Sequence, residues 1–293
     1  MKWISLTVCL LALLSLPPCC NAEAAAMSDH DFVELCRSGT AQQIQAAIEN
    51  GANVNARNRY GWATLVAAAR SNSNPEAIIA LIKAGADINS KTATNGSTVL
   101  MMAAEDNSNP EVITALLQAG MDVNARNNDG WTALTHAALY NRNPEITTVL
   151  IENGADVNAR GVNGDPALFF AARDNDNPEV VTVLIKNGAD VNERYDYGLT
   201  ALRLAAGRNN NPEVIAVLLQ AGADVNARDE DGRTALMAAA ENTFNPEVIS
   251  FLLKNGADAK AKDKGGKRAI DYASLNEEIN GTEAYKALTD ASR

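Results

Sequence analysis

The chain has 293 residues, of which 46% are hydrophobic and 21% charged, which is enough apolar material to build a core. A formal net charge of −11 argues against general binding to a phosphate backbone, and two histidines with four cysteines leave little for a zinc site or a disulfide framework. Aromatics make up only 5%, and the abundance of alanine favours close-packed helices over a β-sandwich.

The N-terminus reads as an address. Lys2 precedes an uncharged run from Trp3 to Leu16, too short to cross a bilayer and suited to the apolar part of a secretory signal. Pro17 and Pro18 end that run, and the small residues beyond them place cleavage after Ala22 or Ala24. The expected location is periplasmic or secreted. The alternatives are a buried N-terminal helix, a lipoprotein acylated at Cys19 or Cys20, and a cytosolic protein starting at Met27. Cleavage would leave Cys36 as the sole thiol. Its place in Phe32-Val33-x-x-Cys36 has the helical spacing of a small core residue, not the surroundings of a nucleophile.

The remainder repeats. Asn-Pro-Glu begins at Asn74, Asn109, Asn143, Asn177, Asn211 and Asn245, in steps of 35, 34, 34, 34 and 34 residues. A glycine before an apolar run recurs in the same phase from Gly61 to Gly266, and Gly-Ala-Asp-Val-Asn or a near copy recurs from Gly51 to Gly256. Three markers in one fixed phase indicate a solenoid.

One unit, residues 124–157, shows the expected local physics. Asn127-Asn128-Asp129-Gly130 is a turn, and Thr132 caps a first helix carrying Leu134, Ala137 and Ala138 on one face. Asn141 is expected to end that helix in the left-handed conformation. Asn143 then caps a second helix, with Pro144 at its first position and Glu145 in its first turn. Ile146, Val149, Leu150 and Ile151 form its apolar stripe, and Gly154 ends it. A single unit cannot bury such a stripe, whereas stacked copies bury it against each other.

These motifs resemble the ankyrin repeat family over roughly residues 28–289. The family's G-x-T-P-L-H-x-A-A appears as Gly130-Trp-Thr-Ala-Leu-Thr-His-Ala-Ala138, with similar versions from Gly198 and Gly232. Alanine mostly replaces the proline, Ala63-Thr64 reverses the usual order, and Asn-x-Asn-Pro stands where the family has Gly-His. The resemblance implies an all-α fold, an ankyrin-repeat solenoid of stacked helix-turn-helix units with β-hairpin-like loops. With the leader, it describes an exported bacterial member of the family. The expected organisation is a signal peptide at 1–24, an N-terminal capping repeat at 25–55, six full repeats of about 34 residues at 56–259, and a C-terminal capping repeat with tail at 260–293.

The sequence contains no phosphate-cradling glycine loop and no dinucleotide fingerprint, and its carboxylates mostly follow the period. No catalytic residue, cofactor or metal is expected, and the protein is expected not to be an enzyme. His30 and His136 read as solvated or structural. A basic column running from Arg57 to Lys262 reads either as a solvated row paired with aspartates of adjacent turns or as a strip facing an acidic partner.

In the family, recognition lies at the hairpin tips and at the exposed end of the first helix. Carried over, those columns hold Tyr60, Trp62, Arg70, Trp131 and Tyr140, followed by Arg173, Tyr197, Arg208 and Arg233. Tryptophan, tyrosine and arginine are the residue types that dominate binding hot spots. Trp62 and Trp131 share one column; packing on the next hairpin is the competing reading, and partner contact with little loss of folding on removal is the expectation. The expected function is a monomeric, non-enzymatic protein–protein interaction module. It would bind another protein through its hairpin tips and concave face, without nucleic acid and without stable membrane insertion after cleavage. The alternative is an inhibitor, immunity or protective protein acting on an envelope enzyme or toxin.

Overall fold

The computed structural model describes residues 27–209 and 211–293, so the expected signal segment lies outside the described residues. Among them are sixteen helices in eight pairs. The first four pairs are α1 (Asp29–Cys36) with α2 (Ala41–Glu49), α3 (Thr64–Ser71) with α4 (Pro75–Lys83), α5 (Val99–Asp106) with α6 (Pro110–Gln118), and α7 (Ala133–Tyr140) with α8 (Pro144–Glu152). The other four are α9 (Ala167–Asp174) with α10 (Pro178–Lys186), α11 (Ala201–Arg208) with α12 (Pro212–Gln220), α13 (Ala235–Asn242) with α14 (Glu247–Lys254), and α15 (Ala269–Ala273) with α16 (Glu283–Ala291). First helices pack on first helices and second on second, which makes a two-layered solenoid. Among the described residues there is no strand, only the isolated antiparallel bridges Arg57 to Ala63 and Lys91 to Thr98 in the hairpin loops. None of these helices is long and apolar enough to cross a membrane.

Caps explain where the helices start. Thr98, Thr132, Thr200 and Thr234 each accept a hydrogen bond from the backbone N–H three residues on. The reversed pair Ala63-Thr64 removes that cap from α3, and the Thr64 hydroxyl instead donates to the Ala56 carbonyl at 3.0 Å. Second helices start on Asn74, Asn109, Asn143, Asn177 and Asn211, whose side chains accept from the glutamate N–H two residues on at 2.9 to 3.0 Å. Proline at N1 and the glutamate in the first turn complete the start.

The layers meet through small side chains. The paired alanines, such as Ala137-Ala138 and Ala171-Ala172, are fully buried and let neighbouring first helices approach closely, while Leu134, Ile146 and Leu150 fill the space between layers. Cys36 is buried in this core, and burial pushes its thiol up to about 12, so it stays protonated and unreactive.

Asn141 departs from expectation. Its backbone is extended (φ −91°, ψ 125°), not left-handed. The side chain explains this: buried Asn141 donates through Nδ2 to the Ala104 carbonyl at 3.0 Å and the Asn107 carbonyl at 2.8 Å, and accepts from the Asn143 N–H at 2.9 Å. Asn72, Asn107, Asn175 and Asn209 do the same one repeat back, forming a ladder along the stack. The left-handed role falls to glycines such as Gly154 (φ 89°), which ends α8.

Candidate partner-binding face

Residues that break the period gather on the first-helix layer. Their centre is an aromatic group. Trp131 meets Phe170 edge-on at 4.9 Å and His136 at 5.7 Å, and Phe169 meets Phe170 and Tyr195, each at 5.1 Å. The Arg173 guanidinium lies over both phenylalanine rings, at 5.0 and 5.4 Å, and also pairs with Asp174 at 2.6 Å. His136 is buried, with Nδ1 2.9 Å from Glu105 Oε2 and Nε2 without a hydrogen-bond partner. Glu105 also reaches Arg70 at 3.6 Å, so it links α3, α5 and α7.

The two tryptophans differ despite their shared column. Trp62 is half-buried, with the Arg70 guanidinium 4.7 Å from its ring, and Arg70 is held by Asp106. Trp62, Arg70, Arg37 and Asp106 line a hollow of about 520 Å³. Trp131 sits against the next repeat: a Cβ at Gly161 would lie 2.8 Å from Trp131 Cδ1, so that glycine makes room for the ring. The Trp131 ring packs between repeats, so its removal, more than that of Trp62, is expected to cost folding stability.

The other expected residues spread along the layer. Tyr60 is exposed, under the Arg59 guanidinium at 4.9 Å. Tyr140 is exposed beside His136, and its hydroxyl is pushed above the usual tyrosine value by desolvation, then by Glu105 and Asp174. Arg233 pairs with Glu241 and lies 4.6 Å from the Tyr272 ring. Tyr272 is itself pushed up to about 12 by desolvation and by its hydrogen bond to Asp263. Arg208 is exposed at the end of α11.

Tyr197 stands out by conformation. It is 75% exposed at a hairpin tip and is the one non-glycine residue with positive φ (60°) among the described residues. A tyrosine held left-handed at full exposure is a strained residue kept where nothing in the fold needs its side chain. Tyr197→Gly is expected to raise stability in urea by about 0.5–1 kcal/mol. A loss of stability would show that the ring packs in solution.

Sequence reasoning missed Phe169, Phe170 and the half-buried ion pair Arg203–Asp229 at 2.8 Å. The signal was present: Phe169-Phe170 occupy columns that hold Met101-Met102, Thr135-His136 and Met237-Ala238 elsewhere. The basic column is a correction. Arg57, Arg126 and Arg160 donate to the carbonyl of their own hairpin glycine at 2.8 to 3.0 Å, and Arg194 reaches the Arg228 carbonyl at 2.7 Å. These guanidinium groups brace hairpins through backbone oxygens instead of pairing with aspartates; Arg160 alone of the four adds a carboxylate, Glu193. Among the described residues no group of three or more histidine, cysteine or acidic side chains could hold a metal ion.

Comparison with known proteins agrees with this architecture. A family model described as ankyrin repeats (3 copies) matches residues 65–161, 159–229 and 205–291. The crystal structure of the human ASB11 ankyrin repeat domain superposes with a TM-score of 0.66 at 26% identity, covering 78% of this chain and 96% of that one. The mitochondrial disaggregases of Bos taurus and Homo sapiens are 36% and 34% identical over 70 residues, 24% of this chain. The match spans only 10% of the length of those relatives.

Proposed function

The chain belongs to the ankyrin-repeat family, and we propose that it is an exported, non-enzymatic module that binds a partner protein through its hairpin tips and the concave face made by its first helices. Ankyrin repeats indicate a protein–protein interaction module; export and the face used are the proposal. One observation carries it. The aromatic and arginine residues that break the repeat's period, Trp62, Arg70, Tyr140, Arg173 and Tyr197 among them, lie on the first helices or on the hairpins that precede them, while the second helices keep their pattern. A solenoid holds itself together with its invariant columns and recognises with its variable ones.

The test is a cross-linked capture from the producing organism, with the tagged full chain as bait and Trp62→Ala as control. The expected result is a single partner recovered from the envelope or secreted fraction by the wild type and lost by the variant. Recovery of the protein in the cytoplasm would overturn export, and equal capture by the variant would overturn the face.

A further inference from the structure

Two adjoining hollows open between the ends of α9, α11 and α13. One, of about 550 Å³, lies among Arg142, Arg173, Asp176 and Arg208; the other, of about 430 Å³, lies among Leu204, Gly207, Ala238 and Phe244, and Asp174 and Arg208 line both. Their charges do not cancel. Arg142 pairs with Asp176 at 2.8 Å and Arg173 with Asp174 at 2.6 Å, which leaves Arg208. Among the described residues it is the one arginine whose side chain makes no hydrogen bond, ion pair or ring contact. An exposed, uncompensated guanidinium in a chain of net charge −11 is a fork of donors without an acceptor.

The second hollow is mixed: Arg203 and Asn242 also line it, and its apolar part is the strip Leu204, Gly207, Ala238 and Phe244. Its opening depends on Gly207, which stands in a helix where the equivalent residues are Arg70, Glu105, Leu139, Arg173 and Glu241. Glycine in a helix interior lowers stability relative to any of these, so it needs a reason. The space is free: a Cβ at Gly207 would meet Ala238 Cβ at 3.4 Å, ordinary contact. Phe244 flanks the opening and is 72% exposed, in a column that is otherwise polar (Ser73, Ser108, Arg142, Asp176).

We infer that this double hollow is a docking site for an extended segment of the partner protein in which an acidic side chain adjoins an apolar one, the carboxylate on Arg208 and the apolar group between Gly207 and Phe244. The inference rests on the partner-binding reading above and adds the chemistry of the bound segment.

The probes are two blocked dipeptides, acetyl-Glu-Leu-amide and acetyl-Gln-Leu-amide, titrated into the isotope-labelled full chain and followed by amide chemical shifts. The expected result is shifts centred on Gly207, Arg208 and Phe244, with the glutamate peptide saturating about tenfold earlier than the glutamine peptide at low salt. Arg208→Gln should erase that tenfold difference. Gly207→Leu should close the apolar hollow and abolish both titrations while raising the thermal midpoint, since it restores the residue type found at Leu139. That variant therefore separates occlusion from misfolding. Equal affinity of the two peptides, shifts centred elsewhere, or unchanged titration of Gly207→Leu would overturn the site. Those results would leave the wider reading to be judged by the capture experiment.

Discussion

Asn141→Ala is expected to lower stability by about 2–4 kcal/mol, as for any asparagine of the ladder, because two buried carbonyls lose their donor at once. Those carbonyls belong to Ala104 and Asn107, one repeat back. The loss should be directional. In a stack held by nearest-neighbour contacts, weakening one junction uncouples the two sides. Residues before Asn141 should lose amide-exchange protection while α9 to α14 retain theirs, and urea unfolding should split into two steps. Asn143→Ala is the control. That side chain caps α8 and donates to the Ser108 carbonyl at 2.9 Å, but it lies near the surface, where water can replace it. Its expected cost is about 1 kcal/mol. Equal losses for the two variants would show that the ladder is no more than capping. The chain also supplies the reverse case. Thr243 occupies the ladder position in the sixth repeat and turns inward on its own loop, accepting from the Asn245 N–H at 3.1 Å and donating to the Asn245 carbonyl at 3.2 Å. Asn276 resumes the pattern, reaching the Thr243 carbonyl at 3.2 Å.

The ladder also shows what the sequence could and could not reveal. The period, the helix pairs and the Asn143-Pro144-Glu145 start were legible because each depends on neighbours within a few residues. Asn141 was misread for the same reason. Local chemistry makes asparagine a tolerable left-handed residue, and only a partner 34 residues away reveals the amide's actual use. The basic column was misread similarly: charge suggested carboxylates, whereas Arg126 donates to the Arg160 carbonyl of the next repeat and to the Gly130 carbonyl that the hairpin brings to 3.0 Å. The candidate face was half legible. Columns named Tyr60, Tyr140 and Tyr197 as exposed, and they are. Columns could not separate Trp62 from Trp131, because the difference lies in what the following repeat sets against each ring.

That difference gives the second large effect. Trp131→Ala should cost about 2–3 kcal/mol of stability, less than full burial would imply because the ring is half-exposed. It removes the edge contacts to Phe170 and His136 and leaves a void over Gly161. His136, already carrying a buried Nε2 without a partner, would then keep only Glu105 and the exposed Tyr140 ring to hold it. Trp62→Ala removes a ring whose other side faces Arg70 and an open hollow, so its expected stability cost is about 1 kcal/mol. Binding should move the opposite way. Loss of Trp62 should weaken partner affinity by about 2 kcal/mol, roughly thirtyfold, through the aromatic anchor and through Arg70, which loses its stacking surface. Trp131→Ala should weaken binding only to the extent that it loosens the stack, and stabilising the array elsewhere should restore it. Urea melts and partner titrations on the two single variants and the double variant decide the matter. If stability and affinity fall together in both single variants, the column is structural throughout, and the recognition surface must then be sought at the hairpin tips around Tyr60 and Tyr197.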